Sequence, residues 1–204
     1  MATVGGRLLV AHATCGVDWV LGERVLPVET QPDSAHYQLS SYRESLVEHL
    51  FLGELLRQLW VKGVRDLEVL KPQVDDAGYD LLLVRRPVTG ERAGSVRPVT
   101  RYLQLKASGL AASTGSVTLH RRLAERKGGC LVWVRFEEEF LPERFQFRWL
   151  GGRPEAPPID PSNLSLARNP WSKKERKDVY SVPRSAFTGP LEWDGLLERL
   201  FPGV

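Results

Sequence analysis

Gly78–Val84, GYDLLLV, and Thr100–Ser108, TRYLQLKAS, decide how this chain is read. The first is an apolar run that opens on Asp80 directly after a glycine turn. The second carries Gln104 and Lys106 two residues apart. Side chains at i and i+2 of a strand point to the same face, so Gln104 and Lys106 project together, with Leu103 and Leu105 on the other face. An amide and an ammonium group side by side suit a cleft better than a core. If the two strands are neighbours, Asp80, Gln104 and Lys106 meet, and the backbone carbonyl of Leu105 adds an oxygen. Such hard oxygen donors are what Mg²⁺ accepts. A cation there lowers the pKa of a bound water and braces charge on a phosphate, while an ammonium group positions the water or stabilises the transition state. Plainer readings stand beside this one. Asp80 can cap a turn, and Gln104 with Lys106 can form the solvent face of an edge strand, where lysine discourages aggregation.

Upstream, Ser40–Gly63, SSYRESLVEHLFLGELLRQLWVKG, places Leu46, Val47, Leu50, Phe51, Leu55, Leu59 and Trp60 at helical spacing. Ser40 or Ser41 is the expected cap, with Glu44 as the capping-box partner of Ser41, and Gly63 the stop. Glu44 and Glu48 share a helix face. Glu48 continues the stripe of Phe51 and Leu55 and is expected to point inward; Glu54 faces elsewhere. LEVLKPQV reads as a strand interrupted by Pro72, hence an edge or a strand end, followed by a turn holding Asp75 and Asp76.

Downstream, Arg85–Pro98 reads as a polar excursion and GLAASTGS as a loop. SVTLH is strand-like, and RRLAERKGG is a short helix ending at two glycines. CLVWVRF and FQFRWLG are strands whose Trp133 and Trp149 belong in a core. Residues 151–172 look irregular, Lys173–Asp178 is a charge run, and VYSVP a short strand. TGPLEWDGLLERLF is expected to be a helix capped by Thr188, with Pro190 in its first turn. This order predicts an α/β fold, a central mixed β-sheet flanked by helices. The core falls at 39–150 and a C-terminal extension with an irregular segment and a terminal helix at 151–204. Residues 1–38 form an arm of uncertain structure, with possible strands at Arg7–Ala11 and Val17–Leu21 and a linker at Pro27–Ala35.

Hydrophobic residues make up 42% of the chain and charged residues 26%, an ordinary globular composition. A net charge of +3 permits nucleic-acid binding without demanding it, so local clusters matter more. Arg121, Arg122, Arg126 and Lys127 form one basic cluster. Lys173, Lys174, Arg176 and Lys177, beside Trp171, form another. Either can follow a phosphate backbone or simply be solvated. Ser108 can touch a phosphate or cap a turn. His49 and His120 are read as surface or packing residues. Cys15 and Cys130 show neither disulfide nor zinc spacing, and read as buried reduced thiols of a cytoplasmic protein. No apolar run approaches a membrane span.

The helix with glutamates, then GYDLLLV, then YLQLKAS resembles the PD-(D/E)xK nuclease superfamily over roughly residues 40–136. It most resembles the branch in which glutamine replaces the second acid, as in Mrr-type restriction enzymes; DDAGYDL…QLKAS is also similar to uncharacterised bacterial proteins of that superfamily. The resemblance implies a restriction-endonuclease-like fold and Mg²⁺- or Mn²⁺-dependent hydrolysis of DNA phosphodiesters, in defence or repair. Asp80 and Gln104, with the Leu105 carbonyl and a helix glutamate (Glu48 or Glu44), would be the ligand set, and Lys106 the catalytic lysine. Ser108, Arg121, Arg122, Arg126 and Lys127 would meet nucleic acid. Relatives that work as dimers leave a homodimer open. Two departures stand out: Tyr79, not proline, precedes Asp80, and the amide removes one negative charge from the site. The alternative is a module that binds nucleic acid or protein without catalysis and retains the fold.

Overall fold

The structure is a computed structural model that describes residues 32–73, 78–86, 98–169 and 171–204, with side chains from Ser40 onward. The expected strands at Arg7–Ala11 and Val17–Leu21, Cys15, the turn residues Asp75 and Asp76, and most of the Arg85–Pro98 excursion lie outside the described residues.

The chain forms an α/β fold around a mixed six-stranded sheet in the order β1 (Leu67–Leu70), β2 (Leu81–Arg85), β3 (Val99–Gly109), β5 (Gly129–Phe136), β6 (Gln146–Gly151), β9 (Thr188–Leu191). Neighbours are antiparallel except β3 and β5, which run parallel with Lys106 opposite Trp133 and Ser108 opposite Arg135. That parallel pair needs a crossover, and the crossover carries β4 (Ser116–His120) and the short helix α2 (Arg121–Ala124). A second sheet, in the order β4, β8 (Glu175–Pro183), β7 (Ser165–Arg168), packs beside the first.

Strand alternation divides the core in two. On one face, Leu81, Leu83, Leu103, Val132, Val134 and Phe147 meet α1 (Pro32–Val61) and α3 (Trp193–Leu200). Phe51 of α1 stacks on Trp193 of α3 at 5.5 Å, and Phe147 meets that indole edge-on at 4.7 Å. On the other face, Leu131 and Trp133 pack with Leu119, Leu123, Val182 and Phe187. Lying between both layers, β5 is buried at every residue.

Several boundaries differ from the sequence expectation. α1 takes in Pro32–Ala35, read as linker, because proline suits a first helical turn; Ser40 and Ser41 are therefore both interior to the helix, and neither is its cap. The helix ends as expected at Gly63, whose φ of 79° allows the Val64 N–H to reach Leu59 O at 2.9 Å. β1 is the edge strand that Pro72 suggested. α2 is shorter than RRLAERKGG: past Ala124 the chain tightens, with the Arg126 N–H on Leu123 O at 3.0 Å, and then turns at Gly128, where φ is 76°. The segment 151–172 contains β7, and the charge run enters β8. Thr188 and Pro190 belong to β9, not to a helix start; Pro190, lacking an N–H, is tolerated on an edge strand. The C-terminal segment thus supplies both an edge strand and a core helix.

Candidate functional site

β2 begins opposite Leu103, whereas β3 continues to Gly109. Asp80 sits where the β2 ladder stops. Its N–H donates to Leu103 O at 2.8 Å, and its Oδ2 accepts the Leu105 N–H at 2.6 Å. The carboxylate thereby adds one rung to the sheet and is held at the free edge of β3. Gly78 prepares this turn. Its φ is 74°, and a Cβ there would lie 2.5 Å from His120 Nδ1, so only glycine fits against that imidazole.

Beyond this edge lies an open cleft of about 680 Å³. Its walls are Glu44 and Glu48 of α1, Asp80, Leu105 and Lys106 at the sheet edge, and Thr118 of β4. Five of the expected residues, Asp80, Lys106, Leu105, Glu48 and Glu44, are therefore brought together. Glu48 is half-buried and Glu44 exposed, in keeping with the helical phase. Glu54 lies elsewhere, held by Arg57 and Gln58 at 2.7 Å, and the Arg57 guanidinium lowers its pKa against the effect of burial.

Gln104 departs from the expectation. It is 8% exposed and does not line the cleft. Its Oε1 accepts the backbone N–H of His120 at 3.1 Å, tying β3 to the start of α2. His120 Nδ1 in turn accepts the Arg122 N–H at 3.2 Å and caps that helix. In the sheet register Gln104 follows Leu103, the partner of Leu81, and so lies beside Asp80. Asp80, however, reaches along the sheet edge while Gln104 turns toward the second sheet.

Ser108 is also engaged away from the cleft. Its Oγ accepts Trp133 Nε1 at 2.7 Å and an Arg135 guanidinium N–H at 3.1 Å. The first basic cluster splits. Arg121 pairs with Glu125 at 2.9 Å and Lys127 with Glu155 at 3.3 Å, both on the surface. Arg126 lies over the Tyr79 and Tyr102 rings at 5.3 and 5.0 Å, and Arg122 is exposed. Of the second cluster, Lys173, Lys174, Arg176 and Lys177 are all exposed, as is Trp171.

Sequence reasoning missed Lys71. Its Nζ lies 2.5 Å from Glu48 Oε1, and it lines the cleft with Ser41, Ser45 and Thr118. A lysine just past a strand end carries no spacing signal, and only the fold brings it to the helix.

Among the described residues, no three histidine, cysteine, aspartate or glutamate side chains converge on one point. The cleft instead offers separate carboxylates and a backbone carbonyl, all hard oxygen donors. That set fits an ion such as Mg²⁺, which keeps several waters and takes one or two carboxylates, and does not fit a closed protein cage. Comparison with protein-family models, with curated proteins and with solved structures finds no match to this chain. No helix among the described residues is long and apolar enough to cross a membrane.

Proposed function

We propose that the cleft hydrolyses DNA phosphodiester bonds with the help of Mg²⁺ or Mn²⁺. The observation that carries this reading is the meeting of Asp80, Lys106 and the α1 glutamates in one open cleft at the free edge of β3. The resemblance to PD-(D/E)xK nucleases points the same way. Asp80, the Leu105 carbonyl and Glu48 or Glu44 would hold the cation, which when bound supplies a more acidic water and charge stabilisation at phosphorus. Lys106 donates to the attacking water or to a non-bridging phosphate oxygen. Gln104 acts as a positioning residue, fixing β3 against the β4–α2 junction from which Thr118 faces the cleft. Purified protein should nick plasmid DNA with Mg²⁺, and both Asp80→Ala and Lys106→Ala should abolish cleavage. Nicking that persists in both variants removes the hydrolase reading.

Two observations favour a second reading, a binding module without turnover: Glu48 is paired with Lys71, and the Gln104 oxygen is engaged by His120. Calorimetry separates the two. Heat on adding Mg²⁺ or Mn²⁺, in the presence or absence of DNA, supports the hydrolase; its absence in both settings leaves only binding.

A further inference from the structure

Arg135, Arg148 and Arg184 form a positive cluster away from the cleft. In the sheet, Arg148 lies opposite Trp133, and Arg135 is two residues along β5 from that tryptophan, so the two arginines are diagonal neighbours on one face. Arg184 follows β8, its N–H on Gly115 O at 2.9 Å, in the short turn that places Phe187 against Trp133 with ring centroids 5.5 Å apart. Burial first, and then the neighbouring Arg184 and Arg148 charges, lower the pKa of Arg135. Burial and then Arg184 lower that of Arg148. The Arg184 guanidinium thus lies near enough to both to disfavour their charged forms.

Arg135 has a structural assignment. It is 4% exposed, and it donates to Ser108 Oγ and to the carbonyls of Leu110 and Ala112 at 3.1, 2.7 and 3.1 Å. Arg148 and Arg184 have none. Among the described residues no carboxylate pairs with either one, and neither side chain makes a hydrogen bond. Arg168 and Arg176, also beyond the cleft, are each near an acid, at 3.8 and 3.7 Å. Like charges gathered without a carboxylate between them make a local positive potential that favours an anion.

We infer that Arg148 and Arg184, backed by Arg135, bind a backbone phosphate of nucleic acid. Guanidinium forks match phosphate oxygens in pairs. The position suits such a contact: Lys106, Trp133 and Arg148 are in register across three strands, which sets Arg148 about 10 Å from the cleft lysine at two strand spacings. The inference rests on the nuclease reading for its choice of nucleic acid, but its test does not need cleavage.

The experiment is fluorescence anisotropy of a labelled DNA oligonucleotide with the full chain in EDTA, over a range of salt. Arg148→Gln with Arg184→Gln should weaken binding alike for unrelated sequences and lower the salt slope by about 1, for the one phosphate no longer neutralised. The double lysine variant should recover most of the slope, and Arg168→Gln should leave it unchanged. An unaltered slope in the double glutamine variant, with its thermal unfolding intact, overturns the site. So does an outcome in which orthophosphate alone, and not the oligonucleotide, raises the melting temperature in an arginine-dependent way. Arginine-dependent binding by a protein that never cleaves would sink the hydrolase reading and leave this one standing; cleavage indifferent to both arginines would do the reverse.

Discussion

Lys71 and Glu48 form an ion pair across the cleft, Nζ to Oε1 at 2.5 Å, between the end of an edge strand and the middle of a helix. Lys71 is 60% exposed and Glu48 22%. The pair puts an ammonium group against a carboxylate that a divalent cation would use. Removing it should therefore help the metal. Surface screening limits the effect to about 1 kcal/mol, so Lys71→Ala should lower the Mg²⁺ concentration for half-maximal cleavage roughly fivefold. A midpoint that stays put or rises would show that Glu48 is not a ligand, or that Lys71 itself contacts substrate.

Asp80 has two tasks that different substitutions separate. Asp80→Asn keeps an oxygen for the Leu105 N–H and removes the charge. It should unfold within a few degrees of the parent and lose cleavage. Asp80→Ala removes the acceptor as well and leaves a part-buried N–H without its partner, a cost of about 1–3 kcal/mol. Paired melting curves and nicking assays check this. An asparagine variant with full activity would reduce Asp80 to a cap on the sheet edge.

Gln104→Glu offers a direct test of the missing second acid. If the amide were a cation ligand, a carboxylate there should tighten Mg²⁺ binding. The geometry predicts otherwise: the side chain is buried, and it faces a backbone N–H and not the cleft. The expected outcome is a loss of about 1–3 kcal/mol in stability from placing a charge where one hydrogen bond is available, with metal affinity unchanged. A tighter Mg²⁺ isotherm would put Gln104 back among the ligands.

The contrast between Asp80 and Gln104 shows how far the sequence could be read. Strand periodicity correctly separated Leu103 and Leu105 from Gln104 and Lys106, and the helical phase put Glu48 and Glu44 on the site side of α1. These are local properties with fixed periods. What periodicity cannot supply is the partner of a polar group. The engagement of Gln104 with His120 depends on how the crossover folds back, and that of Ser108 with Trp133 and Arg135 on the parallel pairing of β3 with β5. Lys71 was invisible for the same reason. Thr188–Leu191 misled for another, since threonine and proline just before a helix also suit the end of an edge strand.

Arg101 is the largest unexpected element of the core. Fully buried on β3, it donates to Leu200 O at 3.0 Å, to Gly152 O at 2.9 Å and to Arg199 O. Burial lowers its pKa, but its charge faces the C-terminal carbonyls of α3, where a cation is favoured. Truncation to alanine should leave those carbonyls unsatisfied beside a cavity and cost about 3–4 kcal/mol. Lysine should rescue only in part, since one ammonium cannot reproduce the fork. Denaturant unfolding measures both. A near-neutral alanine variant would mean that α3 is not anchored through this residue.

Cys130 sets an alkaline limit on the fold. Its thiol is wholly buried, and desolvation pushes its pKa from 9.0 up to about 12. Between those values the unfolded chain gives up its proton while the folded chain keeps it. The stabilisation is therefore intact below pH 9 and is lost as pH climbs toward 12, at about 1 kcal/mol per pH unit. Cys130→Ala should be less stable at neutral pH because it leaves a small cavity, yet its stability should fall less steeply between pH 9 and pH 11. Urea unfolding across that range supplies the comparison, and parallel slopes for parent and variant would place the thiol in contact with water. In the native state the same burial should protect the thiol from alkylating reagents until the chain unfolds.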